Sequence, residues 1–326
     1  MGKDNKDVKM NNTALARQIF YSGIDEKTEI AVHPLKNKEI VTICTVNFDE
    51  VILSQELTPT DLSTIDSVYN FYLAQKTSFT ATDLAKAVSG NPKKRPSEEM
   101  LNMIEQSMSR LMGTTIVINC GEEMQARGLI QNSEDEYILK TMSGTMVVGT
   151  RETVENKRTH KTETVYTLME NKMPLPLYDY AERTKQIISV SPILLNTVAA
   201  NIGNDTNETV ALKRAIIKRI EMMKNNKNSI TNNKISFGGL DKNDGIFGEA
   251  GILKEQFVKD GDDSSWRVRT AKYRNYVSKL LDYYKSLNYI ADYDWYYSST
   301  VFGGRPSIKG VEIFLKPRVS QEEIKD

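Results

Sequence analysis

Arg267, Lys272, Asn275 and Lys279 stand at spacings of five, three and four within SWRVRTAKYRNYVSKLLDYYKSL, residues 265–287. Val268, Ala271, Arg274 and Ser278 lie among them. Positions three, four and seven apart share one side of an α-helix. A carboxamide and small side chains bordered by cations perform no covalent chemistry. They suit the floor of a groove in DNA. There Asn pairs bidentately with adenine, Ala or Val touches a thymine methyl, and Arg or Lys takes guanine or phosphate. Arg267, Arg269 and Arg274 are candidates for guanine or phosphate, and Lys272 and Lys279 for phosphate. Arg269 lies nearer the apolar side, where its stem can pack. The bland alternative is a solvated face whose cations only keep the helix soluble.

Something must hold that helix. Trp266, Thr270, Tyr273, Val277, Leu280, Tyr284 and Leu287 recur at spacings of four and three. They form an opposite face that has to pack on a core. Asp262, Asp263 and Ser264 are read as its cap. A hairpin follows, formed by Tyr289–Tyr297, the loop Ser298–Ser307 and Gly310–Leu315, with Gly303-Gly304-Arg305 at its tip. Arg305 and Lys309 would reach a neighbouring phosphate or the minor groove. Before it, Thr206–Lys224 reads as a helix capped by Asp205 or Thr206, with Leu212, Ile216, Ile220 and Met223 inward. Lys213, Arg214 and Lys218 on that helix are candidates for the DNA backbone. Ile235-Ser236-Phe237 is a short strand, and a short helix falls within 247–260.

The first half shows the same order. A strand pair at 28–45 comes first. A helix follows from about Thr60 to residue 75, capped by Thr60 or Asp61. Then come Ser78-Phe79-Thr80, a helix over Thr82–Val88, the basic loop Lys93-Lys94-Arg95 and a helix opened by Ser97. Thr114–Cys120 and Tyr137–Val148 are read as the hairpin, and Arg151–Thr162 as a charged join. Asn102 and Gln106 could read bases, but Glu98, Glu99 and Glu105 would repel phosphate; protein contact is the competing role. Lys93, Lys94 and Arg95 are candidate anchors for the DNA backbone. The expected fold is therefore α+β, with two tandem winged-helix domains. The expected boundaries are a flexible tail at 1–27, a first domain at 28–170, a joining segment at 171–204, a second domain at 205–318 and a tail at 319–326.

Charge supports the division. The chain is neutral, with 43 Lys and Arg against 43 Asp and Glu. Residues 211–318 hold twenty basic against twelve acidic residues, leaving 23 against 31 elsewhere. The second half thus carries a field suited to a polyanion. Cys44 and Cys120 sit in apolar strand-like runs, which fits a reducing cytoplasm and no disulfide. The polar start MGKDNKDVKMNNT has no apolar core of a signal segment, and no run is long and apolar enough for a spanning helix.

Residues for other chemistry are sparse. His33 and His160 form no metal-ligand spacing, so no metal is expected. There is no phosphate-binding loop of the G-x-x-x-x-G-K-[ST] type; Gly303–Gly310 resembles one only in composition. Tyr273, Tyr276 and Tyr284 read as packing residues rather than nucleophiles. No cofactor and no catalytic activity are expected.

Three stretches resemble the plasmid replication initiators that bind repeated origin sequences through tandem winged-helix domains. They are FDEVILSQELTPTDLSTIDSVYNFYLAQKTSFTATDLAKAVSG at 48–90, LKRAIIKRIEMMKN at 212–225, and VRTAKYRNYVSKLLDYYKSLNYIADY at 268–293 with KGVEIFLKP at 309–317. The resemblance implies binding of double-stranded DNA repeats, recruitment of host replication proteins, and a homodimer formed through the first domain. It places the main groove contact on Arg267, Lys272, Asn275 and Lys279. The acidic first half departs from the family pattern. A transcriptional repressor of the same fold, a protein-interaction module without DNA binding, and a nuclease or integrase are the alternatives.

Overall fold

A computed structural model gives the fold and describes residues 7–21, 27–32, 40–49, 56–93, 95–129, 139–155, 157, 160, 162–169, 175–196, 202, 206–225, 233–241, 244–258, 263–302 and 305–315. The chain is mixed α+β and forms two compact units: Met1–Asn196 with Asp205–Ala211, and Thr197–Asn204 with Leu212–Asp326.

The first unit opens with β1 (Val8–Asn11), α1 (Ala14–Tyr21), β2 (Lys27–Val32) and β3 (Ile40–Phe48). Then come α2 (Pro59–Leu73), β4 (Ser78–Thr80), α3 (Ala81–Ser89) and α4 (Glu98–Met112). β5 (Thr114–Asn119), α5 (Gly121–Ala126), β6 (Thr141–Thr145), β7 (Gly149–Glu155) and β8 (Thr162–Leu168) follow. α6 (Pro176–Arg183), β9 (Ile187–Val190) and α7 (Pro192–Leu195) close it.

Helix α2 starts where Pro59 sits at its first turn, so the cap is Thr58 rather than Thr60 or Asp61. The Thr58 hydroxyl accepts from the Asp61 amide, and the Asp61 carboxylate accepts from the Thr58 amide at 2.7 Å. Helix α3 repeats the device with Thr80 and Asp83. Ser97 caps α4 by accepting from the Met100 amide at 3.2 Å. Leu62, Ile65 and Val68 of α2 and Ile104, Met108 and Leu111 of α4 are buried in one core with Leu84 and Val88 of α3.

The hairpin that completes this three-helix group is not the expected one. Strands β5 and β6 do pair, but in a four-stranded sheet ordered β2-β3-β5-β6. The hairpin proper is β7–β8, and β8 pairs with β4 to give the order β4-β8-β7. Six of the seven residues of β7 are exposed, from Thr150 to Glu155. An outer strand with both faces in water needs no apolar alternation, so the charged run concealed it.

The expected flexible tail at 1–27 is corrected likewise, while the joining segment at 171–204 holds α6 and β9 where the sequence suggests a short helix around Leu177–Arg183 and a strand at Gln186–Val190. β1 pairs antiparallel with β9, Val8 opposite Val190 and Asn11 opposite Ile187. The Lys9 amide donates to Asn70 Oδ1 and the Asn11 amide to Asp66 Oδ1, each at 2.8 Å. Leu15, Ile19 and Phe20 of α1 and Leu177, Tyr178 and Tyr180 of α6 belong to the first core. Long-range side chains satisfy this backbone, which no local periodicity reveals.

The second unit contains most of α8 (Asn207–Asn225), then β10 (Lys234–Ser236), α9 (Gly245–Glu249) and a 3-10 turn at Lys254–Gln256. It ends with α10 (Ser264–Ser286), β11 (Asp292–Phe302) and β12 (Arg305–Phe314). Its sheet order is β10-β12-β11. Both units contain a helix, a short strand, two helices and a hairpin in that order, with β5, α5 and β6 inserted before the hairpin of the first unit, and in each the short strand lies beside the second hairpin strand. Gly310 allows β12 to pair closely alongside β10, since a Cβ there would stand 2.1 Å from the Ile235 carbonyl oxygen.

Candidate nucleic-acid interface

Helix α10 has the two sides its sequence requires. Thr270, Tyr273, Val277, Leu280 and Tyr284 are buried, with Tyr276 and Leu281 beside them. Arg267, Val268, Arg269, Ala271, Lys272, Asn275 and Lys279 are exposed, and Arg274 and Ser278 are half-buried. Among the described residues, Arg267, Lys272 and Lys279 enter no ion pair. Four other cations of this unit are ion-paired. Arg219 pairs with Glu249, Lys224 with Glu221, Lys254 with Asp263, and Lys285 with Asp292. Asp263 stands at the N-cap of α10, among the expected capping residues, but its side chain makes no capping bond; its carboxylate accepts from Lys254 at 3.0 Å. Asp262 lies outside the described residues.

Aromatic side chains fix the basic border. The Arg269 guanidinium lies 5.1 Å from the centre of the Phe257 ring, which stacks on Trp266. The Arg274 guanidinium lies 5.8 Å from the Phe237 ring, and Phe237 packs on Phe247 and Trp295. Burial lowers the pKa of Arg274 from the usual arginine range. Arg274 is thus partly withdrawn from the outer face, while Arg269 stays exposed over its ring. Tyr293 of β11 joins the hairpin to α10, its hydroxyl 2.9 Å from that of Ser278. The Ser278 hydroxyl is therefore engaged inside the protein. The sequence places Phe237 and Tyr293 in strands but does not mark them, or Phe257, as supports of α10. Only their aromatic character marked them, and aromatic residues are common in cores.

In the hairpin, Lys309 is exposed, and its carbonyl accepts from the Phe237 amide at 2.9 Å. The Arg305 backbone belongs to β12 opposite Phe302, but its side chain lies outside the described residues, as do Gly303 and Gly304. Strands β11 and β12 extend into the expected loop 298–307, with Val301 opposite Pro306 and Phe302 opposite Arg305.

The expected backbone contacts from α8 are corrected. Lys213 is 0% exposed, Arg214 2% and Lys218 2%. Every residue from Thr209 to Lys218 is buried, so this stretch has no solvent side to carry cations. The expectation rested on a helix half in water.

In the first unit, Lys93 and Arg95 are exposed, while Lys94 lies outside the described residues. On α4, Glu98, Glu99, Asn102, Gln106 and Ser109 are exposed. Glu105 accepts from the Thr164 hydroxyl at 2.7 Å and from Arg151 at 3.2 Å, tying α4 to the β7–β8 hairpin. Arg110 turns inward to Asp61. The outer side of α4 is thus neutral to acidic, unlike that of α10.

His160 is exposed beside Glu155, and His33 lies outside the described residues. Among the described residues no group of three or more His, Cys, Asp or Glu could hold a metal, and no helix is long and apolar enough to cross a membrane. Cys44 and Cys120 are free and buried.

No family model and no curated protein matches the chain. Among solved structures it is similar to a crystal structure of domains 2 and 3 of RctB, at 11% identity over 92% of this chain and 96% of that one. The TM-score is 0.41, too low to carry an argument about activity.

Proposed function

We propose that the chain is a sequence-specific double-stranded DNA-binding protein that starts replication of a plasmid or mobile element at repeated origin sites. The observation that carries the reading is the exposed side of α10, where Arg267, Lys272, Asn275 and Lys279 stand over a buried apolar side. A helix of this kind, followed by a hairpin with an exposed lysine, suits a major groove flanked by phosphates. The repeated helix–strand–helix–helix–hairpin order with matching sheet orders supports two winged-helix domains. The second unit supplies the groove contact, and the first, with its acidic α4, serves protein contact or dimerisation. Lys93 and Arg95 remain available there for the DNA backbone. The protein contributes binding and deformation of the duplex, and host replication proteins contribute the nucleotide-driven steps. The proposed setting is the cytoplasm.

The test is retention of fragmented genomic DNA by the full chain at about 50 mM salt, where phosphate contacts are strong, followed by sequencing. Enriched fragments should carry clustered repeats, and a plasmid whose only origin is such a fragment should replicate only when the chain is supplied. Retention without replication would favour a repressor. Absence of retention would leave protein interaction as the reading.

A further inference from the structure

We infer that α10 selects A·T base pairs, with Val268 and Ala271 against thymine methyl groups and Asn275 on an adenine about three base steps away. This rests on the DNA-binding reading and names the chemistry of its site. The outer side of α10 contains several polar groups, but their partners divide them. Arg269 lies over Phe257, Arg274 lies half-buried over Phe237, and Ser278 is engaged with Tyr293. Arg267, Lys272 and Lys279 are long, exposed cations suited to phosphate or guanine.

What remains in front is a row of short side chains: Val268, Ala271 and Asn275. At about 100° per residue, Val268 and Asn275 fall within roughly 20° of each other around the helix axis. They are separated by about 10 Å along it. That matches about three steps of a duplex rising about 3.4 Å each.

Val268 is 70% exposed, the most exposed of the large apolar side chains among the described residues. It stands in the middle of a polar face, on a helix whose opposite side buries seven residues. A β-branched residue there adds nothing to helix formation, where Ala would serve better. Its two methyl groups do match one feature of the major groove. Thymine alone among the bases presents a methyl there. The Asn275 carboxamide matches the N6–N7 edge of adenine, to which it can donate and from which it can accept.

The test uses a randomised duplex library selected with the full chain at about 100 mM salt. In the selected duplex, each thymine is replaced in turn by deoxyuridine, which differs only in lacking the methyl. Each adenine is replaced by 7-deazaadenine, which lacks N7. At one thymine, loss of the methyl should weaken the parent about fourfold, the worth of one buried methyl-sized group. That replacement should leave Val268→Ala unaffected. About three steps away, loss of N7 should weaken the parent about tenfold or more and leave Asn275→Ala unaffected. Both variants change exposed positions and are expected to fold. If the selected duplex binds equally well with every thymine replaced, or if the loss persists in Val268→Ala, the inference is overturned and DNA binding stands. If no duplex is retained from the library, both fail.

Discussion

The Tyr293 hydroxyl on β11 lies 2.9 Å from the Ser278 hydroxyl and 2.9 Å from an Asp282 carboxylate oxygen, both on α10. One phenol thus couples the hairpin to the last turns of the helix that presents Asn275 and Lys279. Tyr293→Phe keeps the ring and removes the coupling. It should lower unfolding stability by about 1 kcal/mol. Ser278→Ala should weaken the same link, so the two changes should be less than additive in a double-mutant cycle followed by urea unfolding. Full additivity would mean that the two hydroxyls act separately.

Arg110 of α4 grips Asp61 of α2 with two bonds, Nε to Oδ2 at 3.0 Å and Nη2 to Oδ1 at 2.8 Å. The Asp61 side chain is 0% exposed and also accepts from the Thr58 amide. Removing the guanidinium leaves a buried carboxylate with only its capping partners. Arg110→Ala should therefore destabilise the first unit by about 3–5 kcal/mol, read from urea or thermal unfolding. A loss below about 1 kcal/mol, the range of an exposed pair, would contradict the buried geometry.

Arg267 and Asn275 on one hand and Lys213 on the other should separate binding from stability. The first two are exposed on α10, and Lys213 is fully buried. Arg267→Ala and Asn275→Ala should each weaken specific DNA binding by about 1–3 kcal/mol with unchanged melting temperature. Lys213→Ala should instead lower the melting temperature, because it truncates a packed side chain. Equilibrium binding and thermal melts on the same preparations distinguish the two classes.

Alkaline pH should unfold the first unit early. Burial pushes the Cys44 thiol up to about 12 from its ordinary 9.0. Burial, with Glu123 adding to it, pushes Cys120 up to about 11 from 9.0. Burial likewise holds Tyr166 at about 12 against 10.0. These acids keep their protons in the folded state and lose them sooner in the unfolded one. Their contribution is complete below pH 9 and is lost as pH rises from about 9 to about 12. Unfolding midpoints in urea should be flat from pH 7 to 8.5 and fall steeply beyond. In parallel, a thiol reagent at pH 8 should label neither cysteine until the protein unfolds.

Much of α10 was legible in the sequence because its period is long and regular. Six apolar or aromatic positions and Thr270, at spacings of four and three, suffice to orient Arg267, Lys272, Asn275 and Lys279 outward. Helices α2 and α4 were legible for the same reason, although Pro59 moved the cap of α2 to Thr58. The misses have two physical causes. Strand β1 gains its partner from the distant β9, and β7 is an outer strand exposed from Thr150 to Glu155, so neither shows apolar alternation of its own. Helix α8 presents an apparently polar stripe, yet Lys213, Arg214 and Lys218 are buried. A helical wheel reports which residues share a side, not how many sides are covered.

The central claim is that the cations on the exposed side of α10 meet phosphates. Titrating one duplex with the full chain between about 50 and 200 mM salt tests it most directly, because each phosphate contact adds close to one unit to the slope of log affinity against log salt. The expected result is steep loss of affinity in the parent, and a slope about two units shallower when Lys272 and Lys279 are both replaced by Ala. Absence of binding at about 50 mM salt, or a slope unchanged by the double replacement, would contradict it.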